Sequence, residues 1–207
     1  MIKKLLPLIL AGLAAQAAPI LLNSQAGLTT STAALTVAIT PHPLWQPNGP
    51  VNPGDPSDTS AIWISYKQSG FNEAEFQPFL GTTPVISVFH SFVSGAGNLL
   101  LNVWADDTAD VYLDGNLLIP AVFTQATCSG QPIGCLPADV GVVNTPIAAG
   151  AHTLEFKMYQ VGTGTNTSSN PFGLLYTGTA PSAVPEPGAM ALAGAGLIAL
   201  GVWRRKR

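Results

Sequence analysis

Apolar and polar positions alternate in short runs through the middle of this chain, and continuous apolar runs occupy only its two ends. Residues 61–66 alternate around Ile62 and Ile64, and residues 85–93 are rich in β-branched and aromatic side chains. Ser94-Gly95-Ala96-Gly97 then turns the chain into a second run at 98–105. Residues 111–113 face 117–119 across Asp114-Gly115-Asn116, and Asp-Gly between two apolar runs is a strong hairpin signal. Ala149-Gly150 is another turn, followed by 153–160 with Leu154, Phe156 and Met158 on one face. Residues 172–176 form a last candidate strand. No stretch of this body keeps a helical apolar period for three turns. Short strands with turns at regular intervals predict an all-β domain, an antiparallel β-sandwich or jelly roll. Residues 41–58, rich in Pro, Gly, Asn and Asp, read as a long surface loop.

The two apolar ends read differently from the body. Lys3 and Lys4 precede an apolar run at 5–13, and Ala15-Gln16-Ala17 is a small-x-small cleavage site. This predicts an export signal at residues 1–17, cut after Ala17, which keeps Pro19 out of the first mature position. At the other end, Val184-Pro185-Glu186-Pro187 leads into the uncharged residues 188–203, and the chain closes on Arg204-Arg205-Lys206-Arg207. Sixteen residues span about 24 Å as a helix, short of a typical bilayer core. Trp203 at the headgroup level and cations reaching for the interface make up the difference. The basic cluster places that end in the cytoplasm and the body outside. The expected plan is a signal at 1–17, a β-sandwich at 18–180, and a tail at 181–207 with a single transmembrane helix.

Charge narrows the partners. Between residues 18 and 183 only Lys67 and Lys157 oppose ten acids, a net charge of −8 against −3 for the whole chain. That balance argues against nucleic acid and anionic lipid, and suits divalent cations or neutral polysaccharide. Cys128 and Cys135 enclose six residues, and in an oxidising compartment they are expected to form a local disulfide. A soft-metal site there would need further ligands, and His152 is the candidate downstream.

The tail resembles the PEP-CTERM signal of Gram-negative bacteria that make extracellular polysaccharide. The resemblance implies that Val184 to Pro187 is read by an exosortase, a membrane-embedded protease of the inner membrane. The precursor would be anchored transiently in that membrane, then released or transferred to the cell surface or extracellular matrix. Two prolines hold the motif extended, as a protease cleft requires.

Within the body, residues 103–115 carry Asp106-Asp107, Asp110 and Asp114-Gly115. This segment resembles the strand–Asp-Asp–strand–Asp-Gly element of lectin-type jelly rolls, the protective-antigen-type module of yeast flocculins. There, adjacent aspartates hold calcium, which contacts sugar hydroxyls. Asp106 and Asp107 match those positions, while Thr108 stands where the family has glycine. Hard cations take oxygen ligands and favour carboxylates, so Asp106, Asp107, Asp110 and Asp114 are candidate calcium ligands. On a regular strand Asp106 and Asp110 would share a face and Asp107 would oppose them. Turn hydrogen bonds and a solvated edge account for the same residues without a metal.

Catalytic readings find little support. His42, His90 and His152 stand apart, and no Gly-x-Ser-x-Gly elbow, His-Glu-x-x-His helix or phosphate loop occurs. Glu73 and Glu75 are two apart, without a partner that sequence can place. Trp45, Trp63 and Trp104 suit either a sugar-stacking platform or a sandwich core. The expectation is a non-catalytic exported surface protein, with a structural or adhesive role in the polysaccharide matrix or cell envelope. The alternatives are a carbohydrate-binding module, calcium-dependent or not, and a hydrolase.

Overall fold

A computed structural model describes residues 18–72, 80–124, 128, 131–161, 170–183 and 194. The export signal with Ala15 and Ala17, Glu73 and Glu75, the motif 184–187 and the basic end 204–207 lie outside the described residues. So does the apolar run 188–203 apart from Gly194. Among the described residues no helix is long and apolar enough to cross a membrane.

Residues 19–183 form one compact unit of antiparallel strands. In chain order these are β1 (Ile20–Leu21), β2 (Thr29–Thr30), β3 (Val37–Ala38), β4 (Ile64–Ser65), β5 (Ile86–Ser94) and β6 (Gly97–Asp106). They continue as β7 (Thr108–Leu113), β8 (Asn116–Ile119), β9 (Gly141–Ile147), β10 (Gly150–Tyr159) and β11 (Gly173–Ala180). One sheet runs β3-β4-β11-β6-β9, with β1 also paired to β11. The other runs β2-β5-β10-β7-β8. The fold is all-β with two antiparallel sheets, the arrangement of a β-sandwich.

Side-chain alternation drives this packing. In β10, Leu154, Phe156 and Met158 are fully buried while Glu155 and Lys157 face outward. In β6, Leu99, Leu101, Val103 and Ala105 are buried and belong to the same apolar cluster as β10, β5 and β11. Phe156 from one sheet stacks on Tyr176 from the other at 4.4 Å between ring centroids. An aromatic pair of this kind is worth about 0.5–1.5 kcal/mol beyond its area. His90 of β5 joins the same contact through Nδ1 and the Tyr176 hydroxyl, 2.7 Å apart, and burial holds the His90 pKa below its usual value.

Several expectations hold and several shift. The Asp-Gly hairpin joins β7 to β8, with φ of 51° at Asp114 and 79° at Gly115. Two positive φ values in succession define the twist-matched two-residue turn. The strand expected at 61–66 shrinks to Ile64–Ser65, and the one expected at 172–176 extends to Ala180. β9 is not foreseen: Pro146 interrupts its apolar pattern, and the sheet tolerates that proline because β9 is an edge strand. The loop at 41–58 contains no strand, but it is more than surface. Trp45 is 3% exposed and Asn52 is fully buried, its Nδ2 donating to the Gly178 carbonyl at 2.8 Å. Trp45 and Trp63 pack at 4.3 Å between centroids in a second core with Trp104, Ile39, Leu175 and Cys135. The tryptophans are core, not a stacking platform.

Candidate functional site

β6 ends at Asp106 and β7 begins at Thr108 in the opposite sheet, so the chain crosses between layers at Asp106-Asp107. The peptide bond between the two aspartates is cis. Because β6 and β7 are different strands, the face-sharing expected of Asp106 and Asp110 does not arise. Asp106 and Asp107 come together instead.

Asp106 is 7% exposed and Asp107 9% exposed, and their carboxyl groups hydrogen-bond to each other. The Trp45 side chain donates to Asp106. The Val161 amide donates to Asp107 Oδ2 at 2.7 Å, and the Asp107 amide donates to the Tyr159 carbonyl at 3.2 Å. Burial pushes the Asp106 pKa well above the carboxylate range, and the neighbouring Asp107 pushes it further. Burial also raises Asp107, against the hydrogen bonds from Asp106 and Val161. A hydrogen bond between two carboxyl groups needs one proton, and the larger upward push falls on Asp106. Among the described residues neither carboxyl group has an ion-pair partner.

The Cys128–Cys135 disulfide lies beside Asp106. The Ala105 amide donates to the Gly134 carbonyl at 3.1 Å, and the Gln46 amide to the Cys135 carbonyl at 2.7 Å. An Asp106 carboxylate oxygen and the two sulfurs lie within 4.8 Å of one another. With the sulfurs bonded together they are not thiolate ligands, so the oxygen donors define what this site can hold. Gln160, between the two residues that bond Asp107, is 2% exposed, and its Oε1 has no hydrogen-bond partner among the described residues. Its Nε2 donates to Asn170 Oδ1.

The other two candidate ligands go elsewhere. Asp110 lies half-buried on β7, where Oδ1 accepts from the Ala121 amide and Oδ2 from the Tyr159 hydroxyl, both at 2.6 Å. Asp114 sits in the hairpin turn, with Oδ1 accepting from the Thr153 amide at 2.8 Å and Oδ2 2.7 Å from His152 Nδ1. His152 Nε2 lies 3.0 Å from the Ala148 carbonyl. Both ring nitrogens thus face acceptors, an arrangement that only the doubly protonated imidazole satisfies in full. The bonds to Asp114 and Ala148 raise the His152 pKa; burial alone would raise that of Asp114, but the bonds from His152 and Thr153 together outweigh it and lower it. His152 is engaged here and not with the cysteines.

Trp45 belongs to the carboxylate site; the sequence marks it as a stacking or core tryptophan, with no sign of its bond to Asp106.

Residues 183–206 match the PEP-CTERM protein-sorting motif. A motif of this kind implies an exported, membrane-anchored precursor that an exosortase sorts to the cell surface. No curated protein matches this sequence. Among solved structures, the body is similar to a family 35 carbohydrate binding module from Clostridium thermocellum, at 10% identity and a TM-score of 0.38. That match covers 78% of this chain and 98% of the module. A beta-glucosidase from Kluyveromyces marxianus in complex with glucose is similar at 13% identity and a TM-score of 0.32, over 68% of this chain and 16% of that one. An exo-beta-1,3-galactanase from Phanerochaete chrysosporium is similar at 13% identity and a TM-score of 0.30, over 77% and 29%. Likenesses at these scores carry no argument, and the functional reading rests on the residues.

Proposed function

We propose that this protein is an exosortase-sorted adhesive domain of the cell surface or extracellular polysaccharide matrix, which binds saccharide through a hard divalent cation held at Asp106 and Asp107. The observation that supports it is the carboxyl pair itself. Two consecutive acids are buried against each other, hydrogen-bond carboxyl to carboxyl, and have no positive partner among the described residues. Burying two acids in this way costs free energy unless a cation is the intended partner.

The donor set fits calcium better than a soft metal. Asp106 and Asp107 supply hard carboxylate oxygens, and the disulfide-bonded sulfurs beside Asp106 offer no thiolate. Calcium bound there would neutralise both carboxylates and offer coordination to saccharide hydroxyls. Trp45 and the disulfide-closed loop orient Asp106, while the Val161 amide orients Asp107.

No catalytic role is assigned to the body. His90 is bonded to Tyr176, His152 to Asp114 and Ala148, and His42 Nδ1 accepts from the Leu44 amide. Glycan-array binding measured in calcium and in chelator tests the proposal: binding lost on chelation is expected. Binding that survives chelation removes the cation from the account. No binding under either condition leaves a purely structural matrix role.

A further inference from the structure

The chain leaves β11 through Pro181, Ser182 and Ala183, and this stalk is docked on the turn between β5 and β6. The Gly95 amide donates to the Pro181 carbonyl at 2.9 Å. A methyl group at position 95 would collide with the Ser182 carbonyl oxygen, and one at position 97 would stand 2.6 Å from Pro181 Cγ. Two glycines therefore make the groove in which the stalk lies. Pro181 and Ser182 are half-buried and only Ala183 is exposed. The described part of the stalk reaches Ala183, the residue before the sorting motif.

We propose that this contact is a latch by which the folded body limits its own release by the exosortase. The inference rests on the sorting reading of residues 183–206. A protease cleft binds its substrate as an extended strand and needs main-chain groups on both sides of the recognised residues. With Pro181 and Ser182 held by Gly95 and Gly97, the side preceding the motif is already occupied by the body. Consecutive Cα atoms are about 3.8 Å apart, so one exposed residue gives the protease almost no free chain before the motif. Cleavage then waits for the stalk to leave its groove. The latch is also remote from the carboxylate pair: β11 runs from Gly173 beside Asp106 to Thr179 beside Leu100. The ten residues of β6 put the two ends of the domain about 30 Å apart, so saccharide binding and release act independently.

The test is pulse-chase processing of the full-length protein in a host that carries its exosortase. A Gly-Ser-Gly-Ser insertion between Ala183 and Val184 leaves the body untouched and supplies free chain. G95A forces the stalk out of its groove. Processing should quicken roughly two- to tenfold in both, the factor that one net backbone hydrogen bond is worth. Should G95A impair folding, the insertion decides alone: unchanged or slower processing of the insertion variant overturns the latch. E186A in each background separates the two readings. If E186A is processed like the parent, the sorting reading itself has failed; if E186A blocks processing and the insertion changes nothing, only the latch has failed.

Discussion

Asp106 and Asp107, neighbours in the chain, turn their carboxyl groups onto one another and lie almost entirely out of water. An acid with a raised folded pKa binds its proton more tightly in the native state than in the unfolded chain. Stability of the calcium-free protein therefore falls as pH rises from the ordinary value of 3.8 through the raised one. D106N keeps a hydrogen-bond donor toward Asp107 and removes the second acid. Its unfolding free energy in chelator at pH 7 should exceed that of the parent by about 1–3 kcal/mol. Denaturant titration checks this, and the same variant should gain no stability from added calcium.

His152 adds a pH dependence of the same sign, in a window that starts at its own ordinary value. Its folded pKa is raised, so its contribution is complete below the ordinary 6.5 and is lost as pH climbs through the raised value. Asp114, lowered from 3.8, keeps its contribution down to more acid conditions. H152A should therefore be less stable than the parent by up to about 1 kcal/mol near pH 5–6. The gap should narrow at alkaline pH, as melting curves recorded across the range will show.

The disulfide closes a short loop, with seven residues separating its cysteines. Replacing both Cys128 and Cys135 with Ser should cost about 2 kcal/mol of stability. Because the Gly134 and Cys135 carbonyls bond Ala105 and Gln46 beside the carboxylate pair, calcium affinity should fall as well. Thermal melts with and without calcium separate the two effects.

Trp63 anchors the second core. It is fully buried, packs on Trp45, and donates from Nε1 to the Gln46 carbonyl at 2.6 Å. W63A should cost about 3–5 kcal/mol, measured by denaturant unfolding. Since Trp45 bonds Asp106, the variant should also weaken calcium binding.

Local chemistry made much of this fold readable in the sequence. The hairpin at Asp114-Gly115 and the alternation of Leu154, Phe156 and Met158 are decided by neighbours in the chain. β1, β2 and β3 have two residues each, too few for any period to show. β9 carries Pro146 and is held as a strand by its pairing with β6, which is tertiary. The aspartates were visible as a group, but their grouping by carboxylate count was misleading. Asp110 and Asp114 serve a tyrosine hydroxyl, a histidine ring and backbone amides. Only the crossing between sheets brings Asp106 and Asp107 together, and no spacing rule reports a crossing. The tail was read from its own residues because proline, glutamate, an apolar run and clustered arginines act locally.

Calorimetric titration of calcium into residues 18–183 reads the occupancy of the Asp106-Asp107 site itself. One calcium per domain with a Kd of about 10⁻⁴–10⁻³ M, the range of extracellular modules, is predicted, and D106N with D107N should abolish it. Absence of binding at millimolar calcium, or binding that survives the double substitution, would contradict the account.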